Sequence, residues 1–263
     1  NKIWSKVNEI GGKCFLWSDI KDKDETFWQN LFIDIIFVVS WRYIIPSTIY
    51  NNAKIGSYLL HDSLLPEYRG FSPSVWSIIN GKNYTGATLL EIGQKVDTGD
   101  ILDQIKIPIH IDDKISGVMK RVTQTYLDLF EKNINNIING EINTINQDHS
   151  IASYTRKRLP SDNLIDWNLS TIEIYNFIRA LSKPYPGAFT FINGTKLIIW
   201  QAKLVENSTE FIGIPGCLMK ITPGEGVLVN TGGGYIMVNE VQYKNKEPQC
   251  ASLILNSLNI CLG

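Results

Sequence analysis

Residues Phe32-Ile33-Asp34-Ile35-Ile36-Phe37-Val38-Val39-Ser40-Trp41 form a short, β-branched, almost wholly apolar run. Such a run reads as a strand buried on both faces, as in a parallel sheet with helices on either side. It stops before Arg42-Tyr43-Ile44-Ile45-Pro46, which reads as a loop entering a helix. Ile55–Leu60 is a second candidate strand and leads directly into His61. Thr85–Glu91 is a third and precedes Asp97. The expected class is therefore α/β. In open α/β sheets ligands gather beyond the carboxyl ends of the strands, where Trp41, His61 and the loop carrying Asp97 would lie.

After Asp113 the periodicity changes. Ile115, Val118, Met119, Val122, Tyr126, Leu129, Phe130, Ile134 and Ile137 recur at three- and four-residue spacing until Asn139-Gly140. This is one long helix with a core-facing stripe. A polar stretch over 143–163 follows. Ser170-Thr171-Ile172-Glu173 is then a capping box opening a helix, which Pro184-Tyr185-Pro186-Gly187 stops. The remainder reads as short strands: Ala188–Ile192, the Asn193-Gly194 turn, Leu197–Ala202, Gly226–Asn230 and Tyr235–Val241. That spacing predicts a small barrel or sandwich. Gly232-Gly233-Gly234 lacks the lysine and helix of a phosphate loop and reads as a hairpin turn. Two domains are expected, 1–150 and 151–263.

Several function classes are disfavoured by composition. The chain has 263 residues, 44% of them hydrophobic, and a net charge of −1, enough for a sizeable core but without the basic surplus of a phosphate-backbone binder. Arg156-Lys157-Arg158 is the one dense basic cluster; it reads as a solvated linker, with a phosphate contact as the rival. Cys14, Cys217, Cys250 and Cys261 show no C-x-x-C spacing and are expected to be reduced, partly buried thiols of a cytoplasmic protein, with no metal. No apolar run is long enough to span a bilayer. The chain opens on Asn1, so a preceding segment is expected to be missing.

Of the three histidines, His110 and His149 read as exposed residues. His61 stands apart because its loop also holds Pro66, Arg69 and Gly70. An imidazole and a carboxylate brought together from two loops suit movement of a small acyl group onto an amine.

The wider pattern is more specific: His61-x-Ser63-Leu64-Leu65-Pro66-x-Tyr68-Arg69-Gly70, then Asn80-Gly81, Thr85-Gly86-x-Thr88 and Asp97-x-Gly99. It continues through Ile165-Asp166-Trp167, Asn176, Ile178-Arg179-Ala180 and Tyr185-Pro186-Gly187-Ala188-Phe189. In that order, from about Phe32 to Val241, it closely resembles the family of enzymes using 10-formyltetrahydrofolate. That family includes methionyl-tRNA, glycinamide ribonucleotide and sugar N-formyltransferases. The resemblance implies a Rossmann-like catalytic domain, its first part absent here, followed by a small OB-like β domain. It also implies that His61 stabilises the developing oxyanion and that Asp97 orients it and relays a proton. Asp100 is the rival carboxylate.

One position departs from the family. The usual Asn two residues before the histidine is Leu59 here, which has no donor to offer. A substitute donor (Ser63, Asn83 or a backbone N–H), a loss of activity and an altered residue are the alternatives. The resemblance places the pterin against Trp41, Tyr43, Ile44, Ile45, Leu64, Leu65, Pro66, Asp97 and the Glu91–Val96 loop. For Trp41 the competing reading is an ordinary core aromatic. Ser63, Tyr68 and Arg69 are expected on the acceptor side. The near-neutral charge, a short connection between domains and the stretch Tyr154-Thr155-Arg156-Lys157-Arg158-Leu159-Pro160-x-Asp162, which resembles sugar-enzyme sequence, favour a nucleotide-linked amino sugar as acceptor, as in lipopolysaccharide O-antigen biosynthesis. Methionyl-tRNA and a catalytically impaired folate-binding homologue are the rivals. A homodimer is expected from the apolar C-terminal strands.

Overall fold

The computed structural model describes residues 2–206, 211–244 and 246–263, with side chains from Trp4 onward. The chain divides into two compact units, residues 1–58 and 59–263.

The first unit holds short helices α1 (Lys2–Glu9), α2 (Trp17–Ile20) and α3 (Glu25–Gln29), strand β1 (Ile35–Val39) and helix α4 (Ser47–Tyr50). Asp24 caps α3 by accepting from Phe27 N–H at 2.9 Å. Strand β1 is shorter than the apolar run, and only Val38 in it is buried; Val39 is 48% exposed. The expectation of a strand covered on both faces is corrected here. β1 is the outermost strand of its sheet, hydrogen-bonded on one side to β2 (Gly56–His61), so part of its apolar surface lacks a neighbour.

The division between the units falls inside β2. In the second unit the order runs β2-β4-β5, with β4 (Tyr84–Glu91) and β5 (Ile101–Pro108) antiparallel. Between β2 and β4 lie the two-residue strand β3 (Arg69–Gly70) and helix α5 (Pro73–Ile79). Helix α6 (Ile115–Asn139) packs on β4 and β5. Ile115, Val118, Val122 and Leu129 of its stripe are fully buried, and Gly140 ends it at φ 71°. Phe130 departs from the stripe and is 37% exposed.

Residues 140–170 are mostly irregular. Tyr154–Thr155 (β6) pairs in parallel with β3. Helix α7 (Thr171–Ala180) opens with the expected capping box, Ser170 and Glu173 bonding reciprocally, and packs against α5 and β8. The antiparallel sheet has the order β7-β8-β11-β10-β9: β7 (Ala188–Ile192), β8 (Thr195–Leu204), β9 (Leu218–Thr222), β10 (Gly226–Thr231) and β11 (Gly234–Tyr243). The short β12 (Gln249–Cys250) pairs with β11, and α8 (Ala251–Ile254) comes after it. Asn193 and Gly194, at φ 48° and 71°, make the β7–β8 turn. No helix among the described residues is long and apolar enough to cross a membrane.

The cysteine expectation is corrected in part. Cys217 and Cys261 form a disulfide across an antiparallel bridge, while Cys14 and Cys250 are free thiols. Their 44-residue separation hid the pair, because sequence spacing that long carries no local signal.

Candidate active site

His61 ends β2 and is 6% exposed. Side chains alternate along a strand, so Leu59 and His61 project on one face of β2, and Tyr58 and Leu60 on the other. His61 Nε2 lies 2.9 Å from the Tyr68 carbonyl. A carbonyl can only accept, so Nε2 carries the proton of that bond. Nδ1 is then the ring nitrogen facing Asp97 Oδ2, at 3.6 Å with both side chains nearly buried. In so little water a charge on either partner is felt strongly by the other.

The backbone sets these positions. Asp97 is held at φ 53°, in the left-handed region, and its Oδ2 accepts from Gly70 N–H at 2.7 Å. At Gly70 a β-carbon would stand 2.5 Å from the Thr155 carbonyl oxygen; at Gly99 it would stand 1.8 Å from that of Glu91. Both motif glycines are therefore demanded by close backbone approach. Asp62 accepts from Ser74 N–H at the start of α5, and its own carbonyl accepts from the Ser74 and Thr85 hydroxyls.

Ser63 is 1% exposed and its hydroxyl donates to the Glu67 carbonyl at 2.6 Å. Leu65 is 4% exposed, clustered with Leu90 and Ile101, and Leu59 packs on that cluster. Leu64 and Pro66 are half-buried, with Leu64 pressed where a side chain on Gly86 would otherwise stand. Tyr68 accepts from Asn80 Nδ2 at 3.1 Å. Asn83 is exposed. Arg69 is 1% exposed. Its guanidinium donates to Gln147 Oε1, to the Tyr154 hydroxyl at 2.9 Å and to His149 Nδ1 at 2.8 Å.

The second unit thus brings His61, Tyr68, Arg69 and Asp97 into one bonded group through Gly70 and Gln147, while Ser63 bonds apart from it, to Glu67. Trp41, Tyr43, Ile44 and Ile45 belong to the first unit, where Trp41 meets Trp17 edge-on at 5.1 Å and Tyr43 stacks on Trp17 at 6.4 Å. Trp41, Tyr43 and Ile44 are 41%, 64% and 83% exposed. The reading of Trp41 as a core aromatic is corrected: it stands on the surface of its unit. The basic cluster is not a free linker either, since Arg156 pairs with Asp162 at 2.8 Å and Arg158 lies over the Trp76 and Phe177 rings.

Asp100 lies on the far side of Gly99, near Glu91. Burial, with the Asp100 charge added, raises the Glu91 carboxyl. Burial also holds the Tyr126 phenol well above its ordinary value, and the Asp62 and Asp97 carboxylates push it the same way. Tyr126 therefore stays protonated and cannot serve as a base at neutral pH. Its place in the helical stripe gives no sign of proximity to carboxylates. Gln147 likewise carries no signal in the sequence, being one uncharged residue in a polar stretch.

The apolar contacts of Leu59 set an expectation for Leu59→Asn. The amide would lose the packing on Leu65, Leu90 and Ile101 and be partly desolvated without a partner. Stability should fall by about 1–3 kcal/mol, read from the midpoint of denaturant unfolding.

The formyl transferase family matches residues 21–132, and the formyl transferase C-terminal domain family matches residues 159–259. The bifunctional polymyxin resistance protein ArnA of Wigglesworthia glossinidia brevipalpis is 42% identical over 190 residues. That alignment covers 72% of this chain and only 29% of ArnA's length. A methionyl-tRNA formyltransferase of Lachnospira eligens is 34% identical over 235 residues, covering 86% of this chain and 73% of that protein. The crystal structure of an N-formyltransferase from Helicobacter canadensis, complexed with folinic acid and dTDP-3-aminofucose, has a TM-score of 0.65 at 26% identity. The match covers 91% of this chain and 82% of the other. With both domain families matched in order and the His61–Asp97 pair assembled, the chain belongs to the formyl transferase family.

Proposed function

We propose that this chain transfers a formyl group from 10-formyltetrahydrofolate to the amino group of a nucleotide-linked amino sugar. The observation that carries the reading is the enclosed His61–Asp97 pair, 3.6 Å apart. Bound folate supplies the formyl carbon and the leaving nitrogen; the chain supplies proton handling. As the acceptor nitrogen bonds to the formyl carbon, negative charge grows on the formyl oxygen, and His61 is the group offered to stabilise it. The Asp97 carboxylate, 3.6 Å from His61 Nδ1, orients the ring. The proton shed by the amine ends on the departing folate nitrogen as the old carbon–nitrogen bond breaks, so none is gained or lost overall. The Tyr68 carbonyl keeps the ring from turning.

Three features support the partners. The exposed Trp41–Tyr43 group offers flat apolar faces suited to a pterin. A cavity of about 610 Å³, lined in part by Tyr68, Trp76, Lys82, Tyr154 and Arg156, offers aromatic faces and cations suited to a nucleoside diphosphate. The net charge of −1 is poorly suited to gripping tRNA phosphates. In this reading residues 1–150 carry the chemistry and 151–263 support it. The similarity to the Lachnospira eligens enzyme makes methionyl-tRNA the second reading.

Asp97→Asn tests the pair. The amide oxygen can still accept from Gly70 N–H, but the charge beside His61 is gone. With an amino-sugar nucleotide and the formyl donor, kcat should fall about 100-fold at unchanged melting temperature. Formylation of initiator methionyl-tRNA in place of any amino sugar would overturn the acceptor. Donor binding with no turnover would point to an impaired homologue. Leu59→Asn separates that last case. A substitute donor predicts no gain in kcat, whereas a rise of about tenfold or more would show that the site lacks an oxyanion donor.

A further inference from the structure

The stretch 145–155 lies between the two family-matched regions and laces together the loops carrying His61 and Asp97. Ile145 exchanges backbone hydrogen bonds with Ile101, Ser153 accepts Arg69 N–H on its carbonyl, and Thr155 donates to the Arg69 carbonyl. At its centre is Gln147, 6% exposed. We propose that Gln147 is a positioning residue: its carboxamide locks the Asp97–Gly99 turn to the Tyr68–Gly70 segment and so fixes the Asp97 carboxylate against His61.

Both ends of the amide are committed. Oε1 accepts from Arg69 Nε and Nη2 at 3.1 and 2.6 Å, while Nε2 donates to the Asp97 and Gly99 carbonyls at 2.9 and 2.7 Å. Arginine needs an acceptor and the carbonyls need donors, so only one orientation of the amide satisfies all four contacts. Glutamate would serve Arg69 but offer the carbonyls nothing. Methionine would serve neither, and asparagine is one methylene short. In so buried a place water does not replace a lost partner.

The geometry explains why this matters for the pair. Three consecutive residues each hold one part of the site: the Tyr68 carbonyl holds His61, the Arg69 side chain holds Gln147, and the Gly70 N–H holds the Asp97 carboxylate. Asp97 is therefore gripped twice from the same segment, once at its carboxylate and once through Gln147 at its main chain. Since Asp97 sits at φ 53°, a conformation a non-glycine residue rarely adopts unaided, the main-chain grip bears on where the carboxylate points.

Gln147→Glu separates positioning from mere satisfaction of Arg69, because it keeps the acceptor and deletes the donors. The ring-nitrogen NMR signals of the three histidines, assigned with His→Asn variants, are read on the folded protein without donor or acceptor. We expect Gln147→Glu to fold with a lowered melting temperature, to move the His61 Nδ1 signal and to leave that of His110 in place. In formyl transfer, kcat should fall about tenfold to a hundredfold with KM changed less than about twofold, the signature of a displaced catalytic group. Gln147→Met should show the same His61 change and also melt lower. Wild-type His61 signals in Gln147→Glu, or wild-type kcat, would overturn the proposal. The inference about kcat rests on the formyl-transfer reading; the NMR signals do not, so they decide the placement even where the acceptor reading fails.

Discussion

His61→Asn is expected to lower kcat by about a thousandfold or more, equivalent to roughly 4 kcal/mol of transition-state stabilisation. The substitution removes the ring with little change of volume. The Asn amide stands where Nδ1 and Cδ2 of the ring stand, short of the Tyr68 carbonyl that Nε2 reaches, so the melting curve reads the loss of that bond separately from the loss of turnover. What it cannot do is take up and release a proton. Tyr126 does not supply that capacity, being held in its protonated form by burial and by Asp62 and Asp97, and the rival carboxylate Asp100 sits by Glu91. Steady-state kinetics and a melting curve on the same preparation check the expectation. Turnover within tenfold of wild type would show that the proton travels by another route.

The second large effect concerns stability. Reducing the Cys217–Cys261 bond, or replacing both residues by serine, is expected to cost about 4 kcal/mol by loop-closure entropy. The bond closes a loop of 44 residues that contains β9, β10 and β11. Its surroundings would loosen with it: Leu218 N–H donates to the Ile260 carbonyl, Leu262 N–H donates to that of Gly216, and Leu262 is 4% exposed. Denaturant midpoints with and without reductant measure the cost. Equal midpoints would mean that the two chain ends hold together without the covalent link. The bond also withdraws the support that four reduced thiols had lent to a cytoplasmic location, since disulfides persist in oxidising surroundings.

Local signals are legible wherever a residue type has one dominant structural use. The Ser170/Glu173 capping box, the Asn193-Gly194 turn and the Gly140 stop of α6 each stand where the pattern puts them. Runs are less legible, because apolar composition marks burial rather than strand length. The stretch from Phe32 to Trp41 outruns β1 at both ends, and Leu218–Thr222 escapes a pattern search because Lys220 interrupts it. In the site, His61 and Asp97 can be found because their motif is distinctive. Arg69 shows the limit of such reading. An arginine in a loop suggests a ligand contact, and nothing local betrays that its charge is buried at 1% exposure among Gln147, His149 and Tyr154. Those partners lie about eighty positions away along the chain.

The lacing at 145–155 has a practical consequence for anyone building hybrids of this enzyme family. A seam cut at the end of α6 looks natural, since the long helix finishes there and the next matched region begins only at Leu159. A foreign C-terminal portion grafted at that seam would arrive with its own residues opposite Arg69, Asp97 and Gly99. Moving the junction past Thr155 keeps the loops carrying His61 and Asp97 with the stretch that ties them, and leaves the grafted portion to supply the helix α7 and the antiparallel sheet.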